Sequence, residues 1–118
     1  MSASESDVLV VTTNEVANAR IVRVIGPVFG TSVRSRSTLG NALGSMRAAF
    51  GGSQGGYIRM LNETRAEAIE ALKAHAASYG ANAVVAMRFD SGEFDSGRGQ
   101  SMAEITAYGT AAILQPAD

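Results

Sequence analysis

The side chains of this 118-residue sequence that could do chemistry are carboxylates and guanidiniums, not sulfur or clustered imidazole. With no cysteine and one histidine, His75, there is no thiolate nucleophile, no Cys-based zinc or iron–sulfur site and no conventional Ser-His-Asp triad. A metal would have to be held by oxygens. Asp90, Glu93 and Asp95 are the clustered carboxylates; they could bind a hard cation, but calcium loops alternate acids more densely, which favours solvated loop charge. Arg34 and Arg36, in Val33-Arg34-Ser35-Arg36-Ser37, present planar donors that match phosphate or another small anion when repeated about a symmetry axis; solvation or pairing with acids is the alternative. The cluster Gly51-Gly52-Ser53-Gln54-Gly55-Gly56 could turn the amides of Gly52 and Gly55 toward an anion. No Lys-Ser/Thr follows and no strand precedes, so it is neither a P-loop nor a dinucleotide fingerprint and reads first as a flexible turn between helices, with ligand binding the alternative. Glu104 is the acid expected within a sheet, either in an interface ion pair with an arginine such as Arg23 or Arg88 or joining Arg34 and Arg36 in an enzyme site between subunits. His75 falls near a helix end, where it can meet the helix dipole.

These residues must be positioned by two kinds of element. Residues 1–7 are polar and acidic and predict a loose tail. Val8 to Thr13 is β-branched and continuous and predicts a first strand; Arg20 to Ile25 predicts a second, resumed from Val28 to Val33 after a bulge or edge at Gly26-Pro27. From Thr38 the period changes: Leu39, Leu43, Met46 and Phe50 make a helical stripe, with Gly40 and Gly44 allowing close packing. A longer helix is expected over about 57–79, with Leu61, Ala68, Leu72 and Tyr79 inward and Gly80 as a left-handed cap. Asn82 to Asp90 predicts a strand whose Arg88 and Asp90 face out. Residues 91–100 predict a connector, and Met102 to Leu114 the second arm of a long hairpin. The order strand, strand, two helices, strand, strand implies an α+β fold in two layers, a mainly antiparallel sheet with its helices on one face, forming a single domain over 8–115.

The formal charge of −1, from ten basic and eleven acidic residues, lacks the basic excess that phosphate-backbone binding needs, so no nucleic-acid partner is expected. No apolar run approaches a membrane span and the N-terminus is unlike a signal peptide, so a cytoplasmic location is expected. Hydrophobic residues reach 46%, but much of that is alanine, aromatics are only 6%, and tryptophan is absent. Small side chains bury little area each, which makes further burial against sister subunits a remedy for a thin core.

Thr12-Thr13, Arg20-Ile21-Val22, Phe50-Gly51-Gly52 with Gly55 and Tyr57, Gly80-Ala81-Asn82-Ala83-Val84-Val85 and Tyr108-Gly109-Thr110-Ala111 occur in an order and spacing that resemble the YbjQ-like family. These are small bacterial and archaeal proteins that carry a heavy-metal-binding label and no established activity. The sequence departs from the family pattern at Thr31, where members carry an acid, and in the basic stretch around Arg34 and Arg36. The resemblance implies a dodecin-like subunit in a ring-shaped homopentamer, stitched to its neighbours by short strands, with a metal ion as the cofactor suggested by the label alone.

Overall fold

The structure is a computed structural model and describes residues 5–35, 55–95 and 101–117. A 3-10 turn, Glu5–Asp7, leads into β1 (Leu9–Val10), β2 (Ala19–Ser35), α1 (Gly55–Ser78), β3 (Ala83–Asp95) and β4 (Ser101–Pro116). The strands form one sheet in the order β1-β3-β4-β2. The fold is α+β, with α1 packed on one face. The helix expected from Thr38 to Phe50 lies outside the described residues.

Three details differ from the sequence reading. The sheet is mixed, because β1 runs parallel to β3, with Leu9 beside Ala83 and Val10 beside Val84. The first strand is two residues long where six were expected, since the chain from Thr12 to Asn18 turns to form a loop. Nor does the chain become a connector at Ser91: β3 runs on to Asp95, pairing with Ser101, so the hairpin is longer than the hydrophobic pattern indicates.

β2 is a single 17-residue edge strand rather than two pieces, paired with β4 along its whole length. Two register shifts, between Ile21 and Arg23 and between Val24 and Gly26, leave Val22 and Ile25 as extra residues. The proline tolerated at Pro27 thus sits on an edge strand just after a bulge, where its missing N–H removes least. A third shift lies between Val85 and Arg88, where Ala86 adopts φ 54°. The Ala86 N–H turns away to the Thr13 carbonyl (2.8 Å) and that of Met87 to Val11 (3.0 Å), so β3 is tied to the incoming loop rather than to β4 at this point.

The core lies between α1 and the sheet. Its helical stripe is Met60, Thr64, Ala68, Leu72 and Ala76, one residue every fourth position; Leu61 is only half-buried, and Tyr79, expected inward, is exposed. The buried Thr64 is tolerated because its hydroxyl donates to the Met60 carbonyl (2.9 Å). Gly30 lets the helix settle directly on β2: a Cβ there would stand 2.1 Å from Leu72 N and 2.3 Å from Ala68 O. The helix ends in a Schellman arrangement. Gly80, at φ 78°, donates to Ala77 (2.9 Å), and Ala81 donates to Ala76 (3.2 Å), with both of these alanines fully buried against one another's turn. Asn82 then extends the sheet with its side chain, donating to the Leu114 carbonyl (3.0 Å) and accepting from the Leu114 N–H (2.8 Å).

Candidate functional site

Register sorts the site residues onto two faces. Val28, Gly30, Ser32 and Arg34 of β2 look toward α1, together with Ile105, Ala107 and Ala111 of β4; Phe29, Thr31 and Val33 look away. On that outer face three rows cross β2, β4 and β3: Phe29-Tyr108-Arg88, Thr31-Thr106-Asp90 and Val33-Glu104-Gly92. The middle row is held by a hydroxyl pair, Thr31 Oγ1 to Thr106 Oγ1, at 2.9 Å.

Arg34 points to the helix side and is engaged there. Its guanidinium pairs with Glu67 of α1 through Nη2 and Oε1, while the Ser32 hydroxyl donates to the other carboxylate oxygen at 2.8 Å. One carboxylate thus serves both polar groups that β2 turns toward the helix, and Arg34 Nε is a buried nitrogen left without a partner. Arg36 and Gly52 lie outside the described residues. Gly55 opens α1 instead of belonging to a turn.

Asp90, Glu93 and Asp95 are all exposed, and all lie on β3. Strand alternation turns Asp90 to the outer face and Glu93 and Asp95 to the helix side, so the three carboxylates do not converge on one centre. Among the described residues no three of His, Asp or Glu stand close enough to share a metal ion.

Glu104 is half-buried on the outer face and leans over Gly92: a Cβ at that glycine would lie 3.5 Å from Glu104 Oε1. Within one chain Glu104 pairs with neither Arg23 nor Arg88, which leaves the pair expected with them to an interface between copies. Arg88 Nη1 is spent on the carbonyls of Thr12 and Met87, both at 2.8 Å, and Arg23 pairs with Ile113, nine residues along β4, or about 30 Å away. Glu104 and Arg34 also occupy opposite faces, so within one chain they do not build a common pocket.

His75 does something the sequence did not indicate. Its Nδ1 lies 3.0 Å from the N–H of Phe29 and 3.2 Å from the same residue's carbonyl, stoppering the backbone at one point on the open side of β2. The ring stacks on Phe29 (centroids 6.5 Å) and meets Tyr79 at 5.3 Å. No helical or strand period links positions 29 and 75, so only the tertiary packing of α1 on β2 reveals the contact. A cleft of about 380 Å³ opens at the other end of β2, lined by Glu15, Val16, Ala19, Arg20, Ile21 and Leu114.

The feature that dominates the surface is apolar. Ile21, Val24, Phe29 and Val33 of β2, with Tyr108 and Phe94, stand on the outer face with exposures from 39% to 63%, although the largest side chains fully buried are only Leu72, Val28 and Val84. The sheet face that no described element covers therefore carries aromatic groups bulkier than any fully buried side chain.

Residues 8–115 match the model of the YbjQ family, whose description reads "Putative heavy-metal-binding". The chain belongs to this family. Relatives named UPF0145 proteins are similar to this chain over nearly its whole length. One from Acidiphilium cryptum is 72% identical over 110 residues, covering 93% of this chain and 96% of the relative. Another from Bradyrhizobium is 49% identical, covering 96% and 98%, and one from the archaeon Thermoplasma volcanium is 42% identical, covering 94% and 88%. A crystal structure of a protein of unknown function from Pediococcus pentosaceus superposes with a TM-score of 0.54 at 12% identity, covering 92% of this chain and 98% of that one, which shows a shared fold. Among the described residues no helix is long and apolar enough to cross a membrane.

Proposed function

We propose that this YbjQ-family chain is a noncatalytic, cytoplasmic subunit of a ring-shaped homo-oligomer, a pentamer by its dodecin-like resemblance, whose charged loops and strand ends bind a small anion or a metal ion. The observation that supports assembly is the outer sheet face, where Ile21, Val24, Phe29, Val33, Phe94 and Tyr108 remain exposed. A sheet packed on one side by α1, and covered on the other by none of the described elements, has larger apolar groups in water, and burial against a second copy removes that cost.

Within this reading the ligand sites narrow. For a hard cation, Glu93 and Asp95 are the carboxylates that share a face two residues apart. For an anion, Arg34 would have to share its guanidinium with Glu67, so Arg36 and the glycine stretch carry more of the load. An enzyme reading finds less support, because Glu104 and Arg34 could meet only across a subunit boundary.

Light scattering at micromolar protein tests the assembly: a mass several times the 12.2 kDa of one chain is expected, and a stable monomer removes the proposal. Titration with calcium, zinc and phosphate, followed by calorimetry, tests the ligands; a metal that still binds after Glu93→Gln and Asp95→Asn is not held at this pair.

A further inference from the structure

Two pairs of like charges stand at opposite ends of the sheet without partners. At one end, Arg20 and Arg23 are exposed and make no hydrogen bond or ion pair among the described residues. They are three apart in sequence, but the extra residue Val22 brings them opposite Gln115 and Ile113, two register positions apart on the same strand face. The bulge thus converts a spacing that would split them across the sheet into a side-by-side pair about 7 Å apart. The extra residue beside them, Val22, is exposed by 43%, on a strand whose other edge no described strand occupies, while Ile21 and Val24 stand on the outer face.

At the other end, Asp90 and Glu104 share the outer face, also without partners among the described residues. Asp90 lies opposite Thr106 and Glu104 opposite Gly92, a diagonal relation that sets them about 7–8 Å apart. Because Gly92 has no side chain, the Glu104 carboxylate is unobstructed toward the β3 edge, and β1 covers β3 only at Ala83 and Val84. Phe94 and Val33, both more than two-fifths exposed, flank the acids, as Val22 stands beside the arginines.

The two pairs cannot meet in one chain: seven to eleven residues of β4, about 24–37 Å, separate them, and they project from opposite faces. We infer that the Arg20–Arg23 segment of one copy docks on the Asp90/Glu104 end of the sheet of a second copy, with Arg20 and Arg23 against Asp90 and Glu104 and with Val22 of one patch meeting Phe94 and Val33 of the other. Matching pitch, opposite sign and an apolar surround are what an interface uses to fix register. The inference rests on the homo-oligomer reading and adds which surfaces meet.

The test uses the full chain in three forms: unaltered, Arg20→Glu with Arg23→Glu, and Asp90→Arg with Glu104→Arg. Mass is read by sedimentation at about 0.15 M ionic strength, where exposed charges more than about 8 Å apart are screened and only close pairs act. Each variant alone is expected to dissociate roughly tenfold or more readily, because reversal places four like charges together. An equimolar mixture of the two is expected to associate to masses well above that of either variant alone, since one variant then offers acids where the other offers arginines; strict alternation closes only even-membered rings, so recovery is read as mixed association and not as return of the original mass. Variants that keep the unaltered mass overturn the inference while leaving the oligomer reading intact, and so do variants that dissociate and do not recover on mixing. An unaltered chain that is itself monomeric overturns both.

Discussion

Replacing Gly30 by alanine puts the contact between α1 and β2 to a quantitative test. The added carbon would lie 2.1 Å from Leu72 N, 2.3 Å from Ala68 O and 2.7 Å from Ala71 C, all backbone atoms of the helix. Ordinary contact needs about 3.5 Å, so the helix must retreat by about 1.4 Å. A gap of that size forfeits about half of each dispersion contact it opens. Leu72 makes roughly 50 contacts worth about 0.15 kcal/mol apiece, and about half of them face the sheet, so its loss alone is close to 2 kcal/mol. Ala68 and Ala76, equally buried, bring the total to about 3 kcal/mol. Against this, alanine lowers the entropy of the unfolded chain by up to about 1 kcal/mol, leaving a net loss of about 2–3 kcal/mol. In thermal melts at fixed protein concentration the midpoint should fall by roughly 10–20 °C. Gly80→Ala is the control, because nothing lies within 4 Å of its Cβ position and only φ 78° opposes it, for a loss of about 1 kcal/mol. If Gly30→Ala costs less than the control, the helix is not seated on the strand as described and the reasoning fails.

Further outcomes are expected from the same structure. Asn82→Ala removes both side-chain bonds to Leu114 and should cost about 1–3 kcal/mol in urea unfolding. Ala86→Gly relieves φ 54° at the β3 bulge and should stabilise by up to about 1 kcal/mol, measured the same way. A double-mutant cycle of Arg34→Ala and Glu67→Ala should return a coupling of about 0.5–1 kcal/mol that shrinks as salt is added, since Glu67 is half-exposed. His75→Ala should cost about 1 kcal/mol and speed amide exchange at Phe29, read by hydrogen exchange.

Much of the architecture was legible in the sequence because it rests on local chemistry. Gly80 signalled a helix stop that the Schellman bonds confirm, Gly26-Pro27 signalled an irregular edge strand, and the β-rich runs before and after residue 100 signalled a hairpin. What failed to show depends on register. A bulge changes which face every following residue occupies, and nothing in Arg20-Ile21-Val22-Arg23 announces the extra residue that sets both arginines on one side. The same limit applies to the candidate site. Asp90, Glu93 and Asp95 read as neighbours in a flexible connector, but as members of a strand they are divided between two faces. Glu104 was correctly placed inside a sheet, whereas its partner could not be guessed because Arg88 spends its donors on the loop at Thr12.

The two bulges in β2 have a geometric consequence. Seventeen residues of this strand run beside fifteen of β4, so the border of the sheet is longer than its neighbour by two residues, about 7 Å of backbone. A ribbon whose margin outruns its midline cannot lie flat; it bows, as a hem stretched on one side curls a length of cloth. Each protomer therefore carries an arc in its own main chain, and the bend is set by residue count before any neighbour arrives.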